Sequence, residues 1–331
     1  MDLPCDDRPS SETTAPGNLT KQPLTCPPAE QQKSSTPGES IFQDIAKHRS
    51  GGDYTLSPWQ RYKLSPAEYH YVEQRLEAEH TVRFDYFPST STLVLRMPST
   101  LHEEFKSRLV DDVLQQLRSI TQENGVASEF AQRITHGGSA GVPFHDPADG
   151  RHEPDEQFRY PKVHFPTVIL EISYPPKKKD LKRLAHDYIL GSNGNIGVVL
   201  AIDVEYKGKA AAATWSMWQP RLQVNSAGEE ELTAHPTVAD QEFRTAHGEV
   251  SSQPGLRLQL DDWVPSAFLP KDTKLGKDIY ISSAALCAYL AGAEELESAI
   301  KQGTAFAEPL KPGVKKRRAW SSSSNEDLTK N

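Results

Sequence analysis

Cysteine is scarce in this 331-residue chain, and the three present, Cys5, Cys26 and Cys287, are odd in number and far apart. They offer no disulfide framework and no zinc-ligand spacing, and they suit a reducing compartment. Long hydrophobic runs are missing as well. No stretch approaches the ~18 apolar residues needed to cross a bilayer, and the polar N-terminus lacks a signal-peptide core. These absences predict a soluble, intracellular protein without a membrane partner. Net positive charge is lacking too, since 37 Lys and Arg face 45 Asp and Glu for a formal charge of −8. A general nucleic-acid coat protein needs clustered positive charge, so any DNA or RNA contact must use a local basic strip. Hydrophobic residues make up only 36% while prolines number 25, which predicts long stretches outside a folded core. The length still allows one substantial domain or two small ones.

Residues 1–54 are rich in Ser, Thr, Pro, Gln and Glu with little periodicity, and are expected to be disordered. Order is expected from Ser65-Pro66-Ala67-Glu68, a capping box with Pro at the first helical position, followed by Tyr69, Val72 and Leu76 on one face. Strands are predicted at 81–87 and 93–97, joined by a polar turn. A long helix over 101–122 follows, with Leu101, Phe105, Leu109, Val113 and Leu117 recurring every four residues, capped by Thr100 and Glu103. Two strands around Asp155 and Glu171 come next, then a helix over 179–190 and an apolar strand over 196–206. A second strand over 211–218 closes a hairpin. The polar, weakly patterned 221–255 is expected to be a loop or insertion. A strand at 256–264 and an amphipathic helix at 281–300 would pack on the core within 256–305. The tail over 306–331 is expected to be disordered. Its Lys315-Lys316-Arg317-Arg318 run slightly favours the nucleus over the cytoplasm. There are no internal repeats. The fold class is α/β: a mixed central sheet flanked by helices over 55–220, with disordered ends.

One residue stands out against its surroundings. Glu171 lies inside Val168-Ile169-Leu170-Glu171-Ile172-Ser173-Tyr174, a run that should be a buried strand. A carboxylate there is costly unless it is paired, protonated or bound to a metal. Asp155 sits in the preceding strand segment, after Pro154, and a Lys-rich helix start follows Glu171. Two carboxylates on neighbouring strands beside positive charge point to a divalent-metal site acting on phosphate esters.

The order helix, strands, acidic strand, helix, strand resembles the PD-(D/E)xK nuclease superfamily, which has a restriction-endonuclease-like core. The chain is most similar within it to the Uma-type restriction endonucleases. Met97-Pro98-Ser99-Thr100-Leu101-His102 is similar to their Pro-containing step into a long helix. Glu171-Ile172-Ser173-Tyr174-Pro175-Pro176, Lys177-Lys178-Lys179, Asp180 and Tyr188 are similar to their acidic strand and the turn and helix after it. The resemblance covers about 81–220. It implies a nuclease hydrolysing DNA or RNA, or its degenerate descendant, with Asp155, Glu171 and the Ile172 carbonyl holding Mg²⁺ or Mn²⁺. The motif's Lys should stand two residues after Glu171, and Ser173 stands there instead. Lys182 is the best substitute as electrostatic helper, because members of the superfamily relocate this Lys; Lys179 is the next. The alternative is a non-catalytic nuclease-fold module that binds nucleic acid or a protein partner. Without a site, Lys177, Lys178, Lys179, Lys182 and Arg183 are an ordinary solvated face.

Other patterns carry less. Glu103 or Glu104 could supply a further acid, although Glu103 has the capping role and Glu104 reads as solvated. Asp85 falls where the resembling family tends to have Glu. Gly137-Gly138-Ser139-Ala140-Gly141 matches a nucleophile elbow, but Val142-Pro143-Phe144 follows, where that elbow needs a helix. Gly191 to Asn195 follows a helix and reads as its C-terminal cap, not a phosphate loop. His136, His145 and His152 lack metal-ligand spacing and read as loop residues. Trp215 and Trp218 fall on opposite faces of a strand, so at least one is core.

Overall fold

The computed structural model describes residues 37–49, 59–78, 82–96, 99–174, 180–207 and 210–316. Alternation sorts the first sheet into two unlike faces. Helices α1 (Pro37–Arg49) and α2 (Pro66–Glu77) accompany three strands, β1 (Trp59–Lys63), β2 (Arg83–Phe87) and β3 (Thr92–Arg96), in the antiparallel order β1-β3-β2. Phe84, Tyr86, Leu93 and Leu95 share an apolar cluster with Ile41, Ile45, Tyr69, Val72 and Leu76 of the helices. The register pairs Arg83 with Arg96 and Asp85 with Val94. The two-residue period therefore puts Arg83, Asp85 and Arg96 together on the other face. Ser65 and Glu68 cap α2 reciprocally, as the sequence predicts.

The helix α1 corrects the expectation of disorder over 1–54. Ile41 and Ile45 stand one turn apart and are fully buried against this cluster, which holds a helix that composition alone would not. The rest of that range, 1–36 and 50–54, lies outside the described residues.

The second sheet has six strands. Helix α3 (Thr100–Thr121) and a short α4 (Val126–Ala131) lead into β4 (Thr135–His136), β5 (Glu156–Arg159) and β6 (Val168–Ser173). Helix α5 (Leu181–Gly191) then crosses to β7 (Val198–Lys207), followed by β8 (Ala210–Val224) and β9 (Glu230–Arg244). The strand order is β4 to β9 in sequence, with β6 and β7 parallel and every other pair antiparallel. A parallel pair needs a crossover, and α5 supplies it. Val168, Leu170 and Ile172 pack with Leu101, Phe105 and Leu109 of α3, while Ile169 packs with Leu184, Tyr188 and Ile189 of α5. The molecule is thus mixed α/β, with helices on both faces of its central sheet.

The predicted loop over 221–255 is largely strand. β8 continues to Val224, turns through Asn225 to Glu229, where Gly228 adopts φ +83°, and returns as β9. Leu222 and Val224 are exposed on this ribbon, so no buried face imposes a readable alternation. The strand predicted at 256–264 stops early: β10 (Leu256–Gln259) gives way to a 3₁₀ turn over Leu260–Trp263. Its partner β11 (Asp278–Ile281) was not foreseen. Helix α6 (Ser283–Lys301) follows and packs beside α3, with Leu286, Leu290 and Ala293 in the main core. No helix among the described residues is long and apolar enough to cross a membrane.

Candidate functional site

Asp155 immediately precedes β5 and Glu171 lies within β6. The ladder pairs Glu156 with Leu170, so the next step of the antiparallel register sets Asp155 opposite Glu171. Asp155 is 2% exposed and Glu171 is fully buried. The two acids that the sequence singles out are therefore brought together.

Their counter-charge comes from the first sheet. Arg96 Nη1 lies 3.0 Å from Asp155 Oδ1 and 3.4 Å from Glu171 Oε2. The rest of the fork faces Asp85, with Nε 3.0 Å from Oδ2 and Nη2 donating to Oδ1 at 3.1 Å. Burial opposes the guanidinium charge, but Asp85, Glu171 and Asp155 outweigh it and raise the Arg96 pKa above its ordinary value. Two further donors reach the pair: the Ile172 amide donates to Asp155 Oδ2 at 2.7 Å, and the Tyr188 hydroxyl donates to Glu171 Oε1 at 2.8 Å. Burial, together with Glu171 and Asp85, pushes the Tyr188 hydroxyl well above its usual pKa, so it remains a donor.

A second layer lies between Asp155 and solvent. Arg83 bridges Asp155 Oδ1 (3.2 Å) and Glu103 Oε1 (2.9 Å). His102 does the same, with Nε2 3.3 Å from Asp155 Oδ2 and Nδ1 3.2 Å from Glu103 Oε1. Lys106 Nζ reaches Glu103 Oε2 at 2.7 Å. Burial would raise the Glu103 pKa, but bonds from His102 and Lys106 and the Arg83 charge hold it down to about 2. On the far side of Asp85, His152 sits 3.5 Å from Asp85 Oδ1 and 3.4 Å from Asp187 Oδ2.

The predicted site residues divide accordingly. Asp155 and Glu171 meet, and Ile172 joins them through its amide. Lys182 is exposed near the start of α5 and forms no ion pair among the described residues. Lys177, Lys178 and Lys179 lie outside those residues, as do Arg317 and Arg318. Ser173, at the missing Lys position, is buried and level with Asp203 of β7. Ser99 caps α3 by accepting from the His102 amide, so Glu103 is released from its predicted capping role for the ion pairs above. Glu104 pairs with Arg108. Ser139 lies in a turn with no helix after it, and His136 contacts Glu156 at 2.8 Å. Trp215 and Trp218 are both core, in different clusters. His152, read as a loop residue, is fully buried in the network. Arg83, Arg96 and His102 were missed as partners of the pair. For Arg83 and Arg96 the signal was a charged face of opposite signs at period two in the first hairpin, which has to be paired when both faces are covered.

A guanidinium nitrogen fills the position on which both carboxylates converge, and the Ile172 amide takes one of the remaining oxygens. Among the described residues, no group of three or more His, Cys, Asp or Glu side chains is arranged to hold a metal ion. No protein-family model matches the chain, and no curated protein matches it.

Proposed function

We propose that this chain carries a restriction-endonuclease-like core turned into a non-catalytic module that binds nucleic acid. The run α3, β4, β5, β6, α5, β7, with its single parallel pair, supports the core assignment. The observation that carries the loss of catalysis is Arg96, whose guanidinium bridges Asp155 and Glu171 and is forked onto Asp85. Withdrawing it would leave three buried carboxylates without their shared cation, which is strongly unfavourable. Ser173 likewise supplies no positive charge at the motif's Lys position. The acidic pair then serves as the junction between two sheets, and ligand contact falls to the cations at its rim. The test is incubation of the full chain with DNA and with RNA in Mg²⁺ or Mn²⁺, beside the Asp155→Asn/Glu171→Gln variant. The expected result is salt-dependent oligonucleotide affinity without cleavage. Cleavage by the wild type that the double variant lacks would overturn the proposal.

Metal-dependent phosphodiester hydrolysis is the second reading, and one observation favours it. Asp155 and Glu171 already converge on a single atom, so they are spaced to share one cation. Calorimetric Mn²⁺ titration separates the readings: binding by the wild type and not by the double variant supports hydrolysis.

A further inference from the structure

The outermost member of the charge network is a carboxylate ringed by an arginine, a histidine and a lysine. Arg83, His102 and Lys106 converge on Glu103 at 2.9, 3.2 and 2.7 Å. We propose that this position is a phosphate site, in which Glu103 stands where a phosphodiester of a nucleic-acid strand binds. The inference rests on the nucleic-acid reading and names the atoms that would carry it. The donors are pre-aimed: Arg83 and His102 are anchored from behind by Asp155, and their side chains are only 14% and 11% exposed. The Glu103 side chain, by contrast, is 42% exposed and can turn into water at little cost. A phosphodiester carries the same single negative charge and presents two non-bridging oxygens. The exchange therefore leaves every donor satisfied and adds no uncompensated charge. Glu103 also lies in the first turn of the 22-residue α3, whose N-terminal dipole favours an anion there. The same three side chains outweigh burial and hold the Glu103 pKa low.

The test is fluorescence anisotropy on the full chain with a short fluorescent single-stranded oligonucleotide, with inorganic phosphate as competitor. Glu103→Gln removes the internal rival and should tighten binding by roughly tenfold. Lys106→Gln should weaken binding by a similar factor and reduce the slope of log K against log salt by about 0.7. Lys271→Gln, on an exposed lysine in a turn outside this network, should change neither. Inorganic phosphate binding that responds to Glu103→Gln and Lys106→Gln, with no oligonucleotide affinity, would keep the site and sink the nucleic-acid reading. Cleavage of the oligonucleotide would sink only the non-catalytic reading. Equal affinities in wild type, Glu103→Gln and Lys106→Gln, or no binding of either probe by any of them, would overturn the site.

Discussion

Arg96 is the last residue of β3, after Leu93, Val94 and Leu95. A strand-end arginine normally points its head at water. Here it is 4% exposed and shared by Asp85, Asp155 and Glu171. Breaking a buried pair by removing one partner typically costs about 3–5 kcal/mol, because the charge left behind is uncompensated. Arg96→Met should lose stability in that range by urea denaturation; a loss under about 1 kcal/mol would mean that other groups neutralise the acids. Arg96→Lys should recover only part, since an ammonium cannot fork onto Asp85 while also reaching the acidic pair. Glu171 was legible because a charge inside an apolar run is conspicuous. Its partner was not, because an arginine at the edge of an apolar run is ordinary.

At the scale of elements, strong apolar periodicity located helices α2, α3, α5 and α6 to within a few residues. Elements without a strong apolar alternation of their own were the ones missed. β1 and β11 are short strands paired only through a neighbouring sheet strand, and β9 is a polar ribbon defined by its hydrogen bonds to β8. Two glycines show how the same local signal has different weight. Gly150 and Gly228 have φ of +81° and +83°. A Cβ on Gly228 would meet nothing within 4 Å, whereas one on Gly150 would lie 2.2 Å from the Tyr86 carbonyl oxygen. That carbonyl accepts from the Arg151 amide, in the bridge tying β2 to the segment before β5. Gly228→Ala should cost about 1 kcal/mol, the left-handed backbone penalty alone. Gly150→Ala should cost at least about 3 kcal/mol, because the bridge must also shift. Equal losses in thermal or urea unfolding would contradict this account.

Across the whole molecule, buried charge joins the two sheets, and that makes stability pH-dependent. Burial lowers the His152 pKa, but Asp187 of α5 and Asp85 of β2 outweigh it and push it up to about 9. A histidine whose folded pKa exceeds its unfolded value of 6.5 stabilises fully below pH 6.5. That contribution is lost as pH rises through about 9, and it amounts to roughly 3 kcal/mol. Unfolding free energies measured between pH 6 and pH 10 should show this decline in the wild type and lack it in His152→Gln. Parallel curves for the two proteins would remove His152 from the junction.

The sequence by itself determined the mixed α/β class, the main helices and the two carboxylates, because each is written in local periodicity or in a local violation of it. Tertiary structure alone decided what neutralises those carboxylates. Arg96 and Glu171 are 75 positions apart, and no window of sequence relates them. A charge in a buried strand announces that it must be compensated, but not by what. A divalent ion, a lysine on the next helix and an arginine from another sheet satisfy the same electrostatic demand. Only the docking of the polar face of β2 and β3 onto the ends of β5 and β6 brings Arg96 to those carboxylates.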